Sequence, residues 1–274
     1  MESHRAFEPA DLPWPELDDL SLARLRAIPI WTLALEIEID AGVMLSRFAQ
    51  SEPDPLVRQA IELQGYEEDR HGRILQCMIS KYGLTAKPDV VDRPATRRAF
   101  IKFGYSECLD SFAGFGIFRL AREARLVPES LTSVFSPVIA EEARHIVFFV
   151  NWVAWDRYRR GLRNFALQAP AALMGYAAAI GKHVKDGRKM AAQQSEPKSG
   201  SMDLFADAMK GLTPATFIRA CVEENERYMA SFDPRLLRPR VVPALGNFAL
   251  TIFETIDRLR ASSRKESPRS LGSG

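Results

Sequence analysis

One five-residue pattern occurs twice in this chain of 274 residues and limits its architecture more than any other feature: Glu67-Glu68-Asp69-Arg70-His71 and Glu141-Glu142-Ala143-Arg144-His145. Both copies lie in stretches of helical periodicity, where Glu and His three apart project from one face. Glu68/His71 and Glu142/His145 are therefore each a two-ligand set. The chain has only 4 histidines, so half of them belong to this pattern. At background usage a histidine has a glutamate three residues before it about one time in fourteen. A surface reading would have charged turns knit by Glu67 or Glu141 and a nearby arginine. The flanking residues oppose it. Phe135, Val138, Ile139, Ile146 and Phe149 share the face of Glu142 and His145, and Ile61, Gly65, Gly72, Leu75 and Met78 share that of Glu68 and His71. Carboxylates and imidazoles on such faces are costly unless paired or bound to metal.

Strand signals are weak and helical periodicity dominates, which predicts an all-α chain. The spacing predicts long helices over 29–50, 55–82, 95–125 and 130–160. Short turns around Pro53-Asp54-Pro55 and Val127-Pro128 make two antiparallel hairpins. The connection over 83–94 is long enough, at about 3.3 Å per residue, to run most of a bundle's length. Residues 1–28 read as an extended arm rich in proline and acids, and 161–260 as a helical extension. Within the extension an alanine-rich helix over 169–190 precedes a polar linker over 191–201. A helix over 202–212 follows, and another opens at the Thr213-Pro214 cap signal. The composition of 261–274 predicts a disordered tail.

Two Glu-x-x-His helices, each preceded by a helix able to add one more Glu, form a pattern for holding two metal ions inside a bundle. In the first helix Glu38 shares the face of Trp31, Leu35, Ala41, Gly42 and Leu45, whereas Glu36 lies with Thr32, Asp40 and Arg47. Glu38 is the inward candidate. In the third helix Glu107 fits, beside Phe100, Phe103, Gly104, Ser111 and Gly114. Four carboxylates balance two divalent ions, leaving a neutral centre in an apolar bundle. A zinc hydrolase fits worse, because zinc sites lean more on His and Cys.

In that order on four helices, Glu38, Glu68-x-x-His71, Glu107 and Glu142-x-x-His145 resemble the ferritin-like di-iron carboxylate superfamily, over about residues 29–160. The resemblance implies a ferritin-like four-helix bundle with additional C-terminal helices. It implies two Fe ions (Mn/Fe is the variant), one Glu–His set on each, with carboxylates bridging them. It also implies that Glu67 and Glu141 hold a ligand His; the alternative for both is a pair with Arg70 or Arg144. The implied activity is that of an oxidase or oxygenase using O2 on a small organic substrate. A protein handling iron as a ferroxidase, without an organic substrate, is the alternative; the long segment after the bundle exceeds what a minimal cage subunit needs. No rubredoxin-like or flavin-binding segment is visible, so electrons are expected from a separate reductase or ferredoxin, or from the substrate.

Tyr66 and Tyr105 flank the motif turns and read as core aromatics or as hydrogen-bonding or radical tyrosines. Asp110 is a candidate acid behind the ligands or, alternatively, a solvated or paired one, Cys108 is a small buried hydrophobe, and His183 reads as solvated among Lys182, Lys185 and Arg188. The basic run over 157–163 suits a helix C-terminus. A net charge of +2 argues against nucleic acid as a default partner. Cys77, Cys108 and Cys221 form no C-x-x-C, which argues against a disulfide framework or zinc ribbon. The least charged stretch, 164–181, is broken by Gln168 and Pro170, so no membrane span is expected. Residues 1–15 lack the apolar core of a signal peptide, and the cytoplasm is the expected location. The apolar faces after residue 202 are expected to wall a pocket on the bundle or, alternatively, to thicken the core or form a homodimer.

Overall fold

A computed structural model describes residues 7–89, 95–162, 169–193 and 212–266. Their regular structure is helical, with no strand among the described residues. After a 3-10 turn at Pro9–Asp11 come α1 (Asp19–Ala27), α2 (Trp31–Ala49), α3 (Pro55–Tyr82), α4 (Arg97–Glu123), α5 (Glu129–Val134), α6 (Ser136–Arg159), α7 (Ala169–Gln193), α8 (Pro214–Met229) and α9 (Val241–Glu266).

Local chemistry explains the helix ends. The Asp54 carboxylate accepts from the backbone N–H groups of Leu56 and Val57 at the start of α3, and Gly83 ends it in the left-handed conformation at φ 60°. The Thr96 and Thr213 hydroxyls cap α4 and α8 in the same way. Three expectations need correction. Residues 19–27 of the extended arm are helical, because the Asp18 side chain accepts from the Ser21 N–H and nucleates α1. The helix expected over 130–160 is broken at Phe135 into α5 and α6: Pro137, in the first turn of α6, has no N–H with which to continue the α5 ladder. The tail expected from residue 261 is helical as far as Glu266. The expected helix over 202–212, nearly all of which falls within 194–211, and residues 267–274 lie outside the described residues.

α2 and α3 form one hairpin. Their backbones approach closely because Gly65 carries no side chain; a Cβ there would stand 2.9 Å from Ser46 Oγ. α4 packs against α6, with the Phe149 ring lying on the bare backbone of Gly104. Arg97, opening α4, pairs with Asp156 near the end of α6, and Glu52, just before α3, pairs with Arg159. The starts of α3 and α4 therefore share one end of the bundle, and Gly83 and Thr96 stand at opposite ends. From Gly83 the chain climbs along α2: the Asp89 N–H donates to Glu36 Oε1 at 2.8 Å.

Two apolar clusters fill the interior. One centres on Phe48, Phe100, Phe149 and Trp152, the other on Leu25, Leu75, Met78, Tyr82 and Leu131, where α1 closes the far end. The C-terminal helices cover the outer face of α4. α8 lies against it where Cys221 meets Gly116, α7 adds Tyr176 against Tyr105, and α9 packs on α8. No helix of the described residues is long and apolar enough to cross a membrane.

Candidate metal centre

Midway along the bundle, α2 contributes Glu38, α3 contributes Glu68 and His71, α4 contributes Glu107, and α6 contributes Glu142 and His145. They form two overlapping sets, Glu38/Glu68/His71/Glu142 and Glu68/Glu107/Glu142/His145. Within each set, one ligand atom per residue lies within 4.8 Å of all the others. Glu68 and Glu142 belong to both sets; each of the other four belongs to one. Glu68, His71, Glu107 and His145 are buried, while the Glu38 and Glu142 side chains keep 17% and 13% exposure.

Both imidazoles turn Nδ1 inward. His71 Nδ1 is 3.0 Å from Glu142 Oε1, 3.4 Å from Glu38 Oε2 and 3.6 Å from Glu68 Oε2. His145 Nδ1 is 2.8 Å from Glu68 Oε1 and 3.9 Å from Glu142 Oε2. Despite this crowding, His71 Nδ1, His145 Nδ1, Glu38 Oε2 and Glu68 Oε1 are buried without a hydrogen bond of acceptable geometry. Atoms left so cost free energy. Four such atoms facing one another suit cations placed between them. The donor set of carboxylates with a minority of imidazoles suits a divalent metal ion.

The outward nitrogens are held by the remaining residues of the pentads, exchanged between helices. His71 Nε2 lies 2.9 Å from Glu141 Oε2, and Arg70 donates to Glu141 Oε1 at 2.6 Å. His145 Nε2 lies 2.8 Å from Glu67 Oε2, and Arg144 donates to Glu67 Oε1 at 2.5 Å. Glu67 and Glu141 thus fill both roles considered from sequence, each acting across to the other helix. A carboxylate at Nε2 leaves the Nδ1 lone pair available to a metal.

The electrostatics describe a cluster short of positive charge. Burial, then repulsion from Glu142 and Glu68, pushes the Glu107 carboxyl well above its ordinary range. Burial raises Glu38 to about 8 against the pull of His71. For Glu68 burial also acts upward, but the charge and hydrogen bonds of the two imidazoles outweigh it and hold the carboxyl low. Burial disfavours both imidazolium ions, yet the surrounding glutamates raise His71 and bring His145 to about 9. Crowded, buried negative charge lies behind these upward shifts, and divalent ions placed among the carboxylates would offset it.

Glu36 faces the connection after α3, away from the cluster. The Ser111 hydroxyl lies 3.3 Å from both Glu107 Oε1 and Glu142 Oε2. Tyr105 and Cys108 are buried against Tyr176, outside the two ligand sets. Tyr66 is exposed and donates to Glu8 at 2.6 Å, so it is neither core nor adjacent to a ligand atom. Asp110 faces away to α7, where His183 Nε2 lies 2.5 Å from its Oδ1. The reading of His183 as a solvated residue is corrected: its side chain is one-third exposed and its Nδ1 faces the Ala179 carbonyl. Gln64, missed from sequence, is 5% exposed one turn before Glu68, and its Oε1 has no hydrogen-bond partner among the described residues. A polar residue on the inward side of a motif helix was the available signal. Comparison with family models, curated proteins and solved structures returns no match.

Proposed function

We propose that this chain is a non-haem di-iron oxidase or oxygenase, with a ferritin-like bundle, that uses O2 to oxidise a small organic substrate. The observation that carries the reading is the pair of three-Glu, one-His sets sharing Glu68 and Glu142, with both inward imidazole nitrogens lacking a hydrogen bond. Glu38 and His71 would hold one ion, Glu107 and His145 the other, and Glu68 and Glu142 both. Bound iron supplies reduction of O2, which no side chain here can perform.

The remaining work belongs to the protein. Glu141 and Glu67 keep each imidazole turned with Nδ1 inward, and Arg70 and Arg144 keep those carboxylates ionised and in place. Burial held Glu67 back from ionising less than His145 and Arg144 favoured it, and its carboxyl lies at about 2. The Ser111 hydroxyl is placed to donate to either Glu107 or Glu142. Apolar packing by Leu45, Ile61, Phe149 and Ile146 keeps bulk water from the interior. Electrons would come from a separate reductase or ferredoxin.

Protein prepared without oxygen and loaded with ferrous iron, or with manganese and iron, should hold two ions per chain. It should then consume O2 when supplied with a reductant. A chain that holds one zinc ion, or binds no iron, overturns the reading. An iron load far above two per chain in a cage-sized assembly transfers it to iron handling.

A further inference from the structure

The two pentads build two similar flanks, and among the described residues the N-terminal arm closes only one. On the His71 flank, the Phe7 ring lies over the Arg70 guanidinium, 3.9 Å from carbon to ring centroid, and its carbonyl accepts from Arg70 Nη1 at 3.5 Å. On the His145 flank, the counterpart Arg144 borders a cavity of about 320 Å³ between α3, α6 and the loop after α8. Leu63, Val147, Phe148, Phe232 and Leu236 form its walls, while Glu67, Arg144 and His145 lie at its base. The loop is fastened in place by Asn151, which donates to the Leu237 carbonyl at 2.9 Å and accepts from the Leu237 N–H at 3.0 Å.

We infer that this cavity binds an uncharged aromatic molecule carrying one O–H or N–H donor. Three observations set that chemistry. The volume equals about ten water molecules, room for a ring system, and the walls are apolar. The charge at the base is already matched, because Glu67 accepts from Arg144 and faces His145 Nε2. Gln64 also lines the cavity, and its buried Oε1, without a hydrogen bond among the described residues, lacks the partner that a ligand donor would supply. Phe7 over Arg70, the counterpart of Arg144 on the other flank, is the internal precedent for a ring beside a pentad arginine. The occupant lies on the Nε2 side of His145, across the ring from the inward cluster. It therefore touches the residues that orient the imidazole and not the Nδ1 side, and its binding does not depend on metal.

The test uses the full chain without metal, titrated calorimetrically with 1-naphthol and with 1-methoxynaphthalene, which keeps the ring system and lacks the donor. The expected result is saturable one-to-one binding of 1-naphthol, with the ether at least tenfold weaker. Gln64→Leu should bring the two ligands within threefold of each other, and Leu63→Trp should weaken 1-naphthol at least tenfold by filling the cavity. Absence of saturable binding, or equal affinity of the two ligands for the wild-type chain, overturns the site. So does selectivity that survives in folded Gln64→Leu, or binding unaffected in folded Leu63→Trp. The wild-type comparison decides the matter even where a variant does not fold. Failure to load iron leaves the result standing.

Discussion

The His71 and His145 halves of the cluster are made from nearly the same five residues, yet they are covered by unrelated parts of the chain. Inside, both halves follow one plan: a Glu-x-x-His pair faces inward, and a Glu and an Arg exchanged between α3 and α6 hold the imidazoles from behind. Outside, the first half is covered by the N-terminal arm, through Phe7 on Arg70 and through Glu8 on Tyr66 and Arg73. The second is bordered by a cavity and a C-terminal loop. The repeat therefore specifies the inner arrangement, and access is set by segments that carry no repeat. Arg70 is fully buried while the Arg144 side chain keeps 20% exposure, so the sealed half also has less tolerance for lost partners.

The largest effect should separate shared from private ligands. Glu68→Ala or Glu142→Ala removes a donor from both sets and should take iron content from two per chain to below one. Glu38→Ala, Glu107→Ala, His71→Ala or His145→Ala should lose mainly one ion, and Glu36→Ala should lose none. Metal analysis after desalting checks this order. A His71→Ala chain that loses both ions as fully as Glu68→Ala would break the two-half description.

Next come the carboxylates behind the imidazoles. Glu67→Gln and Glu141→Gln should each weaken metal binding by about 10–100-fold, the range for groups that orient a metal-bound histidine. The halves should differ in stability. Glu141→Gln weakens the pairing of a guanidinium that has no exposure, whereas Arg144 can turn toward water. Thermal unfolding should therefore show the larger loss for Glu141→Gln. The opposite order would mean that the arm, and not the ion pair, stabilises the sealed half.

Residue pattern made much of this arrangement legible, and the illegible parts share a cause. Pro55 and Gly83 marked both ends of α3 because caps act locally. The inward placement of Glu38 and Glu107 followed from helical faces, which also act locally. The exchange of Arg70 and Arg144 between helices did not follow. Glu67 and Arg70 are three apart, a spacing that suits a pair within one helix equally well, and only the antiparallel meeting of α3 and α6 decides between them. His183 was misread for the same reason, since its neighbours in sequence are basic while its neighbour in space is Asp110. The break at Phe135 was a local signal overlooked: Pro137 stands in the chain two residues later.

A smaller effect tests the cover of the sealed half alone. Phe7→Ala removes the ring from Arg70 and should cost about 1 kcal/mol, the range for a partly desolvated cation–π contact. Denaturant unfolding checks this, and Leu236→Ala, on the cavity side, gives the comparison. If Phe7→Ala costs nothing, the arm does not seal its flank.

The smallest effects are in pH, and the N-terminal arm and α7 should respond in opposite directions. In the N-terminal arm, a hydrogen bond from Tyr66, then one from Arg73 with the charges of Arg73 and Arg70, outweigh burial and hold the Glu8 carboxyl below its usual 4.5. A group with a depressed folded value contributes stability above its unfolded value, and that contribution is lost as pH falls through the folded one. The arm should therefore loosen in acid. At α7, the Asp110 carboxylate raises His183 above 6.5, opposed by burial and by Lys182. A raised value works the other way: the contribution is complete below 6.5 and is lost as pH climbs through the folded value. The α7 tie should loosen in base, by no more than about 1 kcal/mol for a pair this exposed. Hydrogen exchange at pH 4, 6 and 9, corrected for the intrinsic rate, reads both ends in one experiment. Protection of residues 9–12 should fall from pH 6 to 4, and that of residues 176–183 from pH 6 to 9. His183→Gln should remove the basic change and leave the acidic one untouched. Should His183→Gln leave the basic change in place, the tie between α7 and α4 rests on Tyr176 against Tyr105 rather than on the ion pair.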